Sequence, residues 1–175
     1  MNRILIVVDM QNDFISGALG SSDAKAIVNQ VLNSIREAKK VGDTVIFTLD
    51  THDDDYMATQ EGKKLPVPHC VRGTWGHQLE KELLCEITED MPLIEKRTFG
   101  SIELIEVVKQ HVNADTIIDI CGLCTDICVI SNAMLIKAAF PENSIRVIES
   151  ACAGVSRESH ENALNAMRMC HIDVI

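Results

Sequence analysis

Short apolar runs at residues 4–8, 44–49, 93–94, 117–121, 144–148 and 172–175 are separated by segments whose apolar residues recur at helical spacing. This alternation constrains the fold more than any other feature of the chain. Parallel strands need a crossover between them, and a helix laid across the sheet buries its own apolar stripe and the sheet face together. Such crossovers are right-handed and put helices on both faces. The runs are continuous rather than alternating, Ile4-Leu5-Ile6-Val7-Val8 most clearly, as strands covered on both sides require. The expected fold is therefore α/β: one domain over residues 1–175, a parallel sheet in a Rossmann-like three-layer sandwich. The helices are expected at 24–41, with Ile27, Val31, Leu32, Ile35 and Ala38 on one face and a stop at Gly42, then at 75–84, 102–112, 125–139 and 158–169. Residues 50–72 carry no sustained periodicity, contain Pro66, Pro68 and an acidic run, and read as a long functional loop.

Charge and cysteine content narrow the function. A formal net charge of −10 disfavours nucleic acid and anionic membrane as partners, since both select a basic surface. No apolar run approaches the roughly 20 residues that span a bilayer, and the run at 4–8 stops at Asp9, so a cytoplasmic location is expected. Seven cysteines, an odd count without a small secreted scaffold, are expected to be reduced.

Chemistry concentrates where a strand turns into a helix, at Ile117-Ile118-Asp119-Ile120-Cys121-Gly122-Leu123-Cys124-Thr125-Asp126-Ile127-Cys128-Val129. Gly122 permits a sharp turn, Thr125 and Asp126 are helix-start residues, and Cys128 falls in the first helical turn. Unpaired N–H groups there favour thiolate and can hold an oxyanion. Asp9 and Asp50 end two other strands on the same side, where ligands bind in parallel sheets. Asp50, His52 and His69 make a carboxylate–imidazole set suited to Zn, Mn or Fe. Two other classes compete. Cys121-Gly122-Leu123-Cys124 has the spacing of a thiol–disulfide oxidoreductase, and the Asp50 set alone would make a metal-binding module without catalysis.

Gly122-Leu123-Cys124-Thr125-Asp126-Ile127-Cys128-Val129 resembles the nucleophile loop of the isochorismatase-like cysteine hydrolases, and Val8-Asp9-Met10-Gln11-Asn12-Asp13-Phe14 is similar to that family's opening motif. The resemblance implies a cysteine-dependent amidohydrolase with Cys128 as nucleophile, Asp9 as general base and acid, and Lys96 as the third catalytic residue. It also implies an oxyanion hole from the backbone N–H groups of Cys124 and Cys128, with a cis peptide at Leu123–Cys124. The Asp-x-His pair and Pro68-His69 resemble the nicotinamidase/pyrazinamidase branch. That implies one divalent transition metal, Zn or alternatively Mn or Fe, held by Asp50, His52, His69 and Glu61, and nicotinamide as the small-molecule carboxamide substrate. Phe14 and Phe99, each near a catalytic residue in sequence, are the expected pocket aromatics. Carbamoyl or ureido substrates are the alternative within the family, and a homo-oligomer is compatible with it. Thr51 departs from the tryptophan that many nicotinamidases carry, and the chain ends at its last strand; both bear on substrate and assembly.

Overall fold

The computed structural model describes residues 2–175. Its strands are β1 (Arg3–Val8), β2 (Thr44–Asp50), β3 (Leu93–Lys96), β4 (Ile117–Leu123), β5 (Ser144–Ala153) and β6 (Asp173–Val174). They form one sheet in the order β3-β2-β1-β4-β5-β6, parallel at every pairing. The helices are α1 (Asn12–Ile15), α2 (Ser22–Val41), α3 (Gln60–Lys64), α4 (Lys81–Leu84), α5 (Ile102–Lys109), α6 (Ile130–Ala139) and α7 (Arg157–Met169). α2 lies across β1, β2, β4 and β5, while α6 packs against α5 and α7; with right-handed crossovers these occupy opposite faces. The expected α/β architecture is the one observed. No helix among the described residues is long and apolar enough to cross a membrane.

β1 and β4 sit at the centre and are buried almost completely, Ile4, Ile6, Val7, Val8, Ile118 and Ile120 having no exposure. The chain reverses its direction of travel across the sheet between them, which leaves a crevice at their carboxyl ends. Local chemistry sets the helix ends. Ser21 Oγ accepts from Ala24 N at 3.0 Å to start α2, and Gly42 stops it in the left-handed conformation at φ 78°.

Several expected boundaries move, for identifiable reasons. The helix expected at 75–84 is confined to Lys81–Leu84. Residues 75–78 instead serve the segment after β1: Trp75 O accepts from Asn12 Nδ2, His77 O from Gln11 Nε2, Gly76 O from Asp13 N and Gln78 O from Asn12 N. Turned toward the segment after β1, these carbonyls do not build an i→i+4 ladder, and only a single turn bond, Gln78 N to Trp75 O at 3.1 Å, closes locally. No helix was expected between Asp9 and residue 24, yet Asn12–Ile15 form α1, and the loop expected over 50–72 contains a 3₁₀ turn (Tyr56–Ala58) and α3. The helix expected at 125–139 opens with a wider π-helical turn (Thr125–Val129). β5 runs on to Ala153 through an irregularity opposite Ile120 to Gly122.

Candidate active site

Gly122 makes the elbow possible. Its φ is 117°, and a Cβ there would lie 2.1 Å from Val8 O, so only glycine lets β4 pass this close to the end of β1. The Leu123–Cys124 peptide is cis, as the resemblance implied. The π-helical turn follows, with the N–H groups of Ile127 and Val129 both donating to Cys124 O, and it brings Cys128 over the crevice.

Three elements converge on one buried ion. Lys96 Nζ lies 2.6 Å from Asp9 Oδ2, 3.3 Å from Asp50 Oδ1 and 3.3 Å from Cys128 Sγ. The lysine was expected after the third strand; it is the last residue of β3, paired in register with Asp50. Asp9 is fully buried in the left-handed conformation at φ 48°, a strained placement for a non-glycine residue of the kind that gathers at functional sites. Its Oδ1 accepts from Thr48 Oγ1 at 2.6 Å. Its Oδ2 is close to Lys96 but has no well-aligned hydrogen bond, which leaves it able to take a proton.

Burial governs the protonation of this cluster. It raises Asp9 against the pull of Lys96, and it pushes the Cys128 thiol well up, with the Asp9 carboxylate adding to the effect and Lys96 opposing it. Burial and the Asp9 carboxylate thus work against the thiolate that the helix-start position was expected to favour, while Lys96 works for it. A thiol only 5% exposed beside a carboxylate is disfavoured in its charged form by desolvation and like charge alike. Lys96 is held charged, the cost of its burial being outweighed by Asp9, Cys128 and Asp50.

A second cluster adjoins the first through Asp50, whose Oδ1 faces Lys96. Its Oδ2 lies 3.1 Å from His52 Nε2 and 3.5 Å from His69 Nε2. Glu61 Oε1 is 3.7 Å from both imidazole nitrogens, at the rim of the set rather than within it. His69 Nδ1 donates to Val67 O at 2.8 Å. A carbonyl can only accept, so Nδ1 carries its proton there and Nε2 is the nitrogen turned to the cluster, a donor to Asp50 while protonated and a metal ligand once deprotonated. Despite burial, hydrogen bonds from His52 and His69 and the charge of Lys96 hold Asp50 well below the usual carboxylate range. These donors suit a divalent transition metal.

Supporting residues were not identified from the sequence. Gln11 clamps Asp50, its Nε2 donating to Asp50 O at 2.8 Å and its Oε1 accepting from Asp50 N at 2.7 Å. Asp13 Oδ2 accepts from Cys70 N and so anchors the returning loop beside His69. Tyr56 stacks edgewise on both imidazoles, ring centroids 4.6 and 5.1 Å away. Gln11 and Asp13 belong to the quoted opening motif, so the motif was the signal available for them; Tyr56 offered none.

Both clusters open into a cavity of about 700 Å³ walled by Phe14, Phe99, Leu123, Ile127, Cys124 and Cys128. Phe14 is buried and Phe99 half exposed. The other motif cysteine is elsewhere: Cys121 has no exposure, burial pushes its thiol well up, and all seven cysteines are free.

The Isochorismatase domain model matches residues 3–175. The chain belongs to the isochorismatase family. Its relatives there include the nicotinamidase of Schizosaccharomyces pombe, 29% identical and covering 98% of this chain and 91% of the other. The nicotinamidase/pyrazinamidase of Mycobacterium tuberculosis is 28% identical, with 99% and 98% covered. Among solved isochorismatase-type folds, a zinc-complexed pyrazinamidase from Pyrococcus horikoshii superposes with a TM-score of 0.84 at 26% identity, covering 100% of this chain and 99% of that one.

Proposed function

We propose that this chain hydrolyses nicotinamide to nicotinate and ammonia through a thioester on Cys128. The observation that carries the proposal is the contact of Lys96 with both Cys128 and Asp9, which sets nucleophile, proton carrier and counter-charge at one point of a cavity. The names and coverage of the relatives support the carboxamide as the bond cleaved.

Asp9 and Cys128, both brought against Lys96, titrate as a coupled pair between which one proton moves during the reaction. Sγ attacks the carbonyl carbon as its proton passes to Asp9. Backbone N–H groups of Cys124 and Cys128 receive the oxyanion. Asp9 then protonates the amide nitrogen, the C–N bond breaks, and ammonia leaves. A water next gives a proton to Asp9 while its oxygen attacks the thioester; the acid is released and Sγ recovers the proton. Lys96 keeps the carboxylate and sulfur within reach and offsets their charge throughout. Asp50, His52 and His69, with Glu61 at the rim, would hold zinc. The metal, when bound, supplies a coordination position for a basic ring nitrogen and adds positive charge near the thiol. Phe14 and Phe99 pack on the ring.

The test is ammonia release from nicotinamide, pyrazinamide, N-carbamoylsarcosine and ureidoacrylate at equal concentration. Nicotinamide should have the highest kcat/KM, and preference for either ureido-type compound would replace the proposed substrate.

A further inference from the structure

The aromatic wall of the cavity poses a mechanical problem. Phe99 is 45% exposed, so side-chain packing alone does not hold it, and its position depends on how its backbone is fastened. The fastening is Asn132, fully buried one helical turn beyond Cys128. Its Nδ2 donates to Cys128 O at 2.8 Å and to Phe99 O at 3.2 Å, and its Oδ1 accepts from Ser101 N at 2.9 Å. Two donors and one acceptor in this order are what a carboxamide side chain offers, and ionised aspartate has no donor for the two carbonyls. Gly100 closes the contact: a Cβ there would lie 2.6 Å from Leu135 Cδ1 and 3.3 Å from Ser131 O, so the segment lies directly on α6. Ser101 Oγ in turn accepts from Leu104 N and caps α5.

We infer that Asn132 is a positioning residue: it fastens the Thr98–Phe99 wall to the helix that carries the nucleophile and thereby sets how tightly the ring is held. The inference rests on the proposed reaction for its kinetic consequence. Asn132→Ala should raise KM for nicotinamide about tenfold while kcat stays within about threefold. The Phe99→Ala/Asn132→Ala double variant should show the KM of Phe99→Ala alone, because the wall through which Asn132 acts is already gone. Asn132→Ser, which keeps one donor and one acceptor, should fall between and guards against loss of the fold. Amide hydrogen exchange at Phe99–Ser101 should quicken in Asn132→Ser, while alkylation of Cys128 by iodoacetamide, which has no ring, keeps its wild-type rate. Multiplying KM effects in the double variant, slowed alkylation, or unchanged exchange would overturn the inference. Exchange and alkylation need no turnover, so an enzyme inactive on nicotinamide would reject the proposed substrate while these two measurements still decide the role of Asn132.

Discussion

Cys128 and Cys121 share a motif but not a role, and burial separates them. Cys128 lies in the cavity wall within 3.3 Å of a lysine, whereas Cys121 is sealed inside the sheet. Cys128→Ala should lower kcat by at least about 10⁴-fold with little change in melting temperature, since a lost nucleophile has no substitute. Mass spectrometry during slow turnover should find the acyl group on Cys128. From sequence, Cys121→Ser looks silent. The structure divides that expectation: turnover should persist, but a hydroxyl without a partner in the core should cost about 1–3 kcal/mol, measured by urea unfolding. Cys128, the proposed nucleophile, could be singled out from the sequence because the residues around it are consecutive. Its protonation could not be read there, because the groups that set it arrive from β1 and β3.

At the scale of elements, the loop from Asp50 to Cys70 and the β4 elbow do different work. The loop closes the two histidines onto Asp50, and the purified protein should carry about one transition-metal ion per chain, lost in His52→Ala or His69→Ala, as elemental analysis will report. A bound ion stabilises only the folded loop, so chelation should lower the melting temperature, by several degrees if the ion is held well above its dissociation constant. The elbow has less tolerance. Gly122→Ala should cost roughly 3 kcal/mol or more, because the added Cβ meets backbone at 2.1 Å and backbone cannot swing aside; circular dichroism melts and soluble yield will show it. Sequence periodicity found the strands and α2 because their apolar spacing is a local property. It overextended the helix before β3, where carbonyls of residues 75–78 are occupied by Gln11, Asn12 and Asp13, partners more than 60 residues away.

For the whole molecule, the sheet is a platform whose two buried central strands, β1 and β4, deliver Asp9 and the elbow to the same crevice. Ile120→Ala, at a position with no exposure, should destabilise the fold by about 2–5 kcal/mol through lost burial and a residual cavity. It should lower the urea midpoint without altering the slope and leave KM near wild type, because Ile120 does not line the cavity. What the sequence by itself determined is the class of fold and the elbow that carries the proposed nucleophile, both written in residues close along the chain. Apolar spacing dictates which segments become strands or helices, and a glycine between a strand and a helix start dictates an elbow. Tertiary structure alone decided that Lys96 ends β3 opposite Asp50, that Glu61 stands at the rim of the Asp50 cluster, and that Gln11, Tyr56 and Asn132 support the site. Such pairings depend on strand register and on which loops return over the sheet. Both are fixed by burial and hydrogen bonding summed over the whole chain, and no local stretch of sequence contains that sum.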